Sequence, residues 1–454
     1  MTTDFAQSRA LLSLRETMKG QTLLPSDPGY HQARQVWNGA VDRYPAALAM
    51  CETVEDVRAA VRAAGTNRMA LSVRGGGHDW AGRALCDGGI VVDLTKLRDV
   101  QVDPVARIAT IGGGATAGDL ITAAAPHGLA AVTGNVGAVG MAGFLLAGGY
   151  GPLTTRFGLA IDNLLGAEVV LANGEVVTVD AEHNSDLFWA FRGGGGNFGV
   201  LTSMRLRLHP VDEVLAGIIL FPWSQAESVL GGYAAVMASA AEELSVLAGL
   251  LPTAEGHPLV FLGPIWTGEP SEGRHVIERL ERLGTPVHAD VRPISYRDLI
   301  GLYDAQVISG RHYALKTRWL PNLTPEILSA VAAAGGARTS PHSFLAFHHF
   351  HGPGTRIDPS STVFALRRDH FMMEVVAAWD PILGADCAHH RQWVSDLFMA
   401  LAPHALPGGY PNFLTTDDVE QIGSAYGANA SQLREIKQRY DPTNLFSFAT
   451  PIPR

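Results

Sequence analysis

The chain has 454 residues, 47 % hydrophobic and 17 % charged, with a formal net charge of −10. That composition describes a globular protein with large cores in two or three domains, and its acidity argues against a nucleic-acid or anionic-membrane surface. Cys51, Cys86 and Cys387 lie far apart with no C-x-x-C spacing, so neither a disulfide framework nor a zinc site is indicated.

No run approaches the ~18 apolar residues of a membrane span. The N-terminus M-T-T-D-F-A-Q-S-R-A-L-L lacks a basic region followed by an apolar core. A reducing, cytoplasmic setting is therefore expected. No feature encodes the oligomeric state.

In chain order, residues 8–20 read as a short helix and P-A-A-L-A-M-C (45–51) as a buried strand. Thr53 and Asp56 have capping-box spacing ahead of a helical period. The β-leaning run Ala70–Val73 enters S-V-R-G-G-G-H-D (72–79), three consecutive glycines and then a histidine. Backbone N–H groups in such a turn can converge on an anion. No G-K-[ST] follows, so this is not a nucleoside-triphosphate loop. The histidine is a base, a ligand or an attachment point; the plain alternative is a glycine-rich surface turn.

Strands are predicted at 90–94 and 105–111, and Thr116 is placed to cap a helix. In residues 132–151, Gly134, Gly137, Gly140 and Gly143 recur at three-residue spacing. Such backbone could lie flat against a planar ligand or serve close packing. Residues 167–171 and 175–179 flank Asn173-Gly174, which predicts a hairpin with a type I′ turn. A helix at 186–192 precedes G-G-G-G-N-F-G and a strand at 200–208. A dinucleotide fingerprint needs the order strand, glycines, helix, so that reading is rejected.

Beyond Pro210 the glycine clusters cease. Residues 211–405 alternate predicted strands (217–221, 259–266, 343–351, 371–379) with helices near 224–242, 271–283, 325–334 and 388–402. This predicts a second domain with an antiparallel sheet backed by helices. The tail holds a helix at 429–439 and then Y-D-P-T-N-L-F.

Several residues are candidates for chemistry. His349 and His351 share a face of a predicted strand, with His348 on the other. No carboxylate or cysteine stands at ligand spacing from them, so no metal is assigned; proton transfer, substrate binding and plain packing stay open. Glu374 sits in an apolar strand on the face of His370, Met372 and Val376, where an ionised carboxylate without a partner is costly to bury. Tyr410 and Asn412 lie in G-G-Y-P-N-F, and a tyrosine of ordinary pKa about 10 needs a neighbour to act as a base. No G-x-S-x-G elbow exists, so a hydrolase has little support.

Together R-G-G-G-H (74–78), the glycine ladder 134–151, F-G-L-A-I-D-N (157–163), D-L-F-W-A-F-R-G-G-G-G-N-F-G-V (186–200) and Y-D-P-T-N-L-F (440–446) carry a resemblance. The chain resembles the vanillyl-alcohol-oxidase/p-cresol-methylhydroxylase flavoproteins, in their berberine-bridge-enzyme-like branch, over roughly 30–212 and 406–454. The resemblance implies an α+β fold: a two-subdomain FAD-binding domain (1–212, completed by 406–454) and a substrate domain (213–405). It places Arg74, Gly75, Gly76, Gly77, His78, Asp79, Thr133, Gly134, Gly137, Val139, Gly140, Gly143, Gly148, Gly149, Gly151, Val200 and Asn412 at the cofactor.

His78 matches the residue that bonds to the flavin 8α-methyl carbon. Many members form a second bond through a cysteine; Val136 stands at that position here, which implies a single linkage, as in nicotine-oxidase-like members. Val139 matches a position where valine accompanies oxygen access. Tyr410-Pro411-Asn412 matches a Y-x-N motif near the flavin, and Phe347, His349 and His351 would face the substrate. After Phe446 the chain reads S-F-A-T-P-I-P where relatives often place asparagines, which leaves a tail contact to the flavin open.

The implied activity is a covalent-FAD oxidase. It takes hydride from a C–H beside an alcohol or amine of a small molecule and passes electrons to O2, giving H2O2. Candidates for proton transfer are Tyr410, His349, His351 and Glu374, with Asn412 beside them. A dehydrogenase, a flavin-dependent oxygenase and a flavin-binding protein without turnover are the alternatives.

Overall fold

The computed structural model describes residues 2–253, 255–304, 307–381 and 387–453. Three sheets organise it. In the first, Ala47–Met50, Ile90–Asp93 and Leu71–Arg74 run parallel in that order, and Gln21–Leu23 adds antiparallel at the edge. Strands buried on both faces read as apolar runs, and I-V-V-D is buried at all four positions. The crossover helix Val54–Thr66 carries the expected cap: Thr53 Oγ1 accepts from Asp56 N–H while the Asp56 carboxylate accepts from Thr53 N–H. Asp56 also accepts from the N–H groups of Lys19 and Gly20, tying the N-terminal helix Thr2–Thr17 to the same unit.

The second sheet is antiparallel, in the order Val100–Asp103, Ile108–Gly112, Val200–Arg207, Leu164–Val170, Val176–Val179. Two details differ from expectation. The strand expected from Val105 begins at Ile108, because Asp103 accepts from the N–H groups of Val105 and Ala106 and folds them into a turn. The hairpin at Asn173-Gly174 is not type I′, which needs positive φ at two central residues. Only Gly174 has it, at 77°, and its N–H donates to Leu171 C=O. The loop is a type I turn closed by a glycine bulge.

The third sheet has seven antiparallel strands: His288–Ser295, Glu213–Pro222, Pro258–Trp266, Leu244–Pro252, Phe344–Phe350, His370–Trp379 and His312–Leu320. Helices Ala226–Met237, Pro270–Glu281, Pro325–Gly336 and Ala388–Leu401 back one face through a shared apolar core. The other face looks toward the glycine-rich unit.

Buried polar contacts join the units. Asp162, in F-G-L-A-I-D-N, receives two 2.8 Å hydrogen bonds from Arg367, whose side chain is wholly buried. Asn38, in W-N-G, donates to the carbonyls of Trp80 and Tyr313 and accepts from Tyr313 N–H. The last turn is organised by Asp441, which accepts from Lys437 and from the N–H groups of Leu445 and Phe446. Y-D-P-T-N-L-F thus seats Phe446 in the core of the first sheet. No helix among the described residues is long and apolar enough to cross a membrane.

Candidate active site

A cavity of ≈ 430 Å³ lies between the glycine-rich unit and the open face of the seven-stranded sheet. Its floor is backbone. Gly75, Gly76 and Gly77 line it, and among the described residues nothing within the chain accepts from their three N–H groups. Gly76 touches Gly140: a Cβ on Gly76 would lie 2.4 Å from Gly140 N. Two chain segments therefore meet without side chains between them. Gly143 and Gly196 line the cavity, and a Cβ on either would enter open space. These are the properties of a cradle for a flat, anionic ligand.

His78 stands beside this floor. Its ring stacks on Trp37 (4.4 Å, 17°), and Trp37 stacks on Tyr313 of the roof (3.9 Å, 22°). Burial lowers its pKa to about 4, with Asp304 opposing weakly, so the imidazole is neutral at physiological pH. Asp79 pairs with Arg83, which donates to the carbonyls of Asn412 and Leu414, while Trp80 Nε1 donates to Phe413 C=O. The histidine turn is thereby bound to the returning Y-P-N-F segment.

Gly134, Val139, Gly140, Val200, Tyr410 and Asn412 also line the cavity, whereas Arg74, Thr133, Gly137, Gly148, Gly149 and Gly151 do not. Those six act one layer back. Arg74 is buried against Asp93. Gly151 packs on Thr133, whose carbonyl oxygen would lie 1.7 Å from an added Cβ. Gly137 N–H donates to Asp304, and Gly149 N–H donates to the Tyr410 hydroxyl. That hydroxyl also accepts from Asn412 Nδ2, and burial pushes its pKa up to about 12. Tyr410 thus remains protonated at neutral pH and holds Asn412, which also donates to Phe144 C=O.

The roof reverses one expectation. The face expected to meet the substrate (Phe347, His349, His351) is not the face on the cavity. Phe347 is fully buried against the backing helices. His349 bonds Asp369 at 2.7 Å and stacks on His351 and Phe371; His351 engages Leu244 C=O. The alternate residues Phe344, Ala346 and His348 face the cavity, next to Met372, Glu374 and Val376 of the paired strand. Period two alone cannot say which face is inward; the helices behind the sheet decide it. Glu374 therefore meets the cavity, and its Oε1 lies 3.2 Å from His348 Nε2.

Sequence reasoning also missed Tyr150, which lines the cavity. Its hydroxyl lies 2.8 Å from His370 Nε2, and His370 Nδ1 lies 2.7 Å from Arg368 C=O. The carbonyl requires a proton on Nδ1, so Tyr150 donates to Nε2. The tail, left open above, reaches the site: Phe446, Phe448, Ala449 and Thr450 line it, and Asn197 Nδ2 donates to Thr450 C=O. The Thr450 hydroxyl also donates to Gly194 C=O, which holds the tail at the cavity edge.

The fold and cradle define a FAD-linked oxidoreductase, and comparison with known proteins agrees. Residues 45–180 match the family model described as FAD binding domain, and residues 409–453 match berberine and berberine like. An uncharacterized FAD-linked oxidoreductase, YvdP of Bacillus subtilis, is 31 % identical over 445 residues, covering 96 % of this chain and 98 % of the relative. (R)-6-hydroxynicotine oxidase of Paenarthrobacter nicotinovorans is 36 % identical over 293 residues, 63 % of each chain. The crystal structure of 6-hydroxy-D-nicotine oxidase from Arthrobacter nicotinovorans superposes with a TM-score of 0.87 at 29 % identity, covering 96 % of this chain and 98 % of that one. Xylooligosaccharide oxidase from Myceliophthora thermophila, in complex with xylobiose, gives 0.85 at 25 %, covering 99 % and 100 %. The chain belongs to the berberine-bridge-enzyme-like family of FAD-linked oxidoreductases.

Proposed function

We propose that this protein is an oxidase that carries FAD on His78 through a single covalent bond and oxidises a C–H beside an alcohol or amine. The observation that carries the reading is the pairing of a run of backbone donors, Gly75–Gly77, with no acceptor among the described residues, and a stacked, neutral imidazole on the same turn. Bound FAD would supply hydride acceptance at N5 and reoxidation by O2 to give H2O2. Residues 1–212 with 406–454 would hold it, and 213–405 would bind substrate.

The chain's own tasks follow. Gly75–Gly77 offer N–H groups to the pyrophosphate, and Gly143 and Gly196 leave room for flat rings. Neutral His78 presents a free nitrogen lone pair for attachment, its ring plane set by Trp37. Val136 cannot form a thioether, so one attachment remains. Val139 at the cavity wall leaves space for a small acceptor. Glu374 is the base: the roof points it at the substrate, where it takes the O–H or N–H proton. His348 steadies its charge, and Tyr410 and Asn412 hold the flank.

Anaerobic mixing of purified enzyme with secondary alcohols, amines and sugars should bleach the flavin with at least one of them. Peroxide should appear on readmitting air. Reoxidation without peroxide and with oxygen in the product would replace the oxidase with an oxygenase.

A further inference from the structure

The cavity wall over the flavin floor has a composition that bears on the substrate. Leu247, Phe261, Leu315, Phe344, Met372 and Val376 present carbon to the cavity from five neighbouring strands. The backbone N–H and C=O groups between them are engaged in the sheet ladder. Polar side chains on the wall are few. The Tyr313 hydroxyl donates to Ile308 C=O and the Tyr150 hydroxyl to His370, so neither has a proton left to give a ligand. The Asn412 amide nitrogen donates to Phe144 C=O and to the Tyr410 hydroxyl. Among the described residues this leaves the Glu374–His348 pair, the Tyr410 O–H and the Asn412 carbonyl oxygen beside it, with Asn135 at the floor.

Resting on the oxidase reading, we infer that the substrate is a largely apolar, ring-bearing molecule with one proton-giving hydroxyl or amine, seated on Glu374. A sugar ring carries several hydroxyls, each of which must exchange water for a partner in the site. This wall gathers its polar groups in one corner, around Glu374, Tyr410 and Asn412, and would strand hydroxyls on the far side of the ring. An aromatic or alicyclic body loses no hydrogen bond on entering and gains contact with six apolar side chains. Glu374 lies on the strand between those of Phe344 and Leu315, so a group docked there brings the ring under both.

The test uses the holoenzyme and two probes, 4-phenylphenol and xylobiose. Binding is read by the flavin difference spectrum and by fluorescence of Trp37 and Trp80, which line the cavity. Half-saturation by 4-phenylphenol should come at a concentration at least about 30-fold below that of xylobiose. Leu315→Asn should weaken 4-phenylphenol about tenfold with flavin content unchanged. Tighter binding of xylobiose, or a response to neither probe, overturns the inference. The cofactor reading fails separately, by a colourless purified protein, and the fluorescence arm still reports the cavity's preference in that case.

Discussion

The two walls of the cavity are built by opposite means. The lower wall works by omission: Gly75, Gly76, Gly140, Gly143 and Gly196 keep side chains away so that backbone can meet a ligand. The upper wall works by side chains on a regular ladder, where identity at each second position sets the chemistry. The lower wall has little room to vary, because Gly76 and Gly140 exclude even a methyl group. On the upper wall a substitution at Leu315, Met372 or Val376 exchanges one side chain for another on a ladder held by backbone hydrogen bonds. One construction suits a fixed cofactor and the other a changeable substrate, which fits relatives named for nicotine and for xylooligosaccharide oxidation.

The sharpest way to break this contrast is to add one carbon to each wall. Gly76→Ala puts a Cβ 2.4 Å from Gly140 N, backbone against backbone, so neither partner can yield. Purified Gly76→Ala should hold little or no flavin or fail to fold; a normally coloured, stable variant would show that the segments do not pack so closely. Val376→Ile, on the other wall, should keep full flavin content.

Next in size is Glu374→Gln. It keeps shape and removes the proton acceptor, so the anaerobic flavin-reduction rate should fall about 10²–10⁴-fold with flavin content intact. His349→Asn, whose side chain pairs with Asp369 instead, should leave that rate within a few-fold. Equal losses in both variants would return His349 to the reacting group.

Asp162→Asn tests the joint between the walls. It leaves the Arg367 guanidinium buried without its carboxylate, which costs about 3–5 kcal/mol, read by urea unfolding. A loss under about 1 kcal/mol would place the joint elsewhere.

The smallest effect is on pH. Burial lowers the pKa of His209, His351 and His370 from 6.5 to about 4. The unfolded chain therefore binds protons near pH 6.5 that the folded chain refuses until about pH 4. Their contribution to stability is complete above about pH 6.5 and is lost as pH falls from there toward 4. The Tm should drop over that window, and His370→Gln should flatten part of the slope. A Tm constant from pH 7 to 4.5 would contradict the burial of these rings.

Legibility in the sequence divides along the same line. The cradle was readable because glycines at fixed offsets, a histidine after them and a capping box each have one local physical cause. Thr53 and Thr116 cap their helices as their spacing predicts. The roof was less readable. Periodicity does not mark Leu244–Pro252, His288–Ser295 or His312–Leu320 as strands, and it does not tell which face of 344–350 turns inward. Periodicity reports that two faces differ, while the helix packing that selects the buried one is tertiary. Tyr150 was hidden for another reason: its partner, His370, is 220 residues away.

The proposed attachment is one covalent bond between His78 and FAD. Acid-denatured, proteolysed protein examined by mass spectrometry tests it directly. The flavin's mass should appear on the peptide containing His78 and on no other, and should be lost in His78→Ala. An unmodified His78 peptide with all flavin in the supernatant would contradict it.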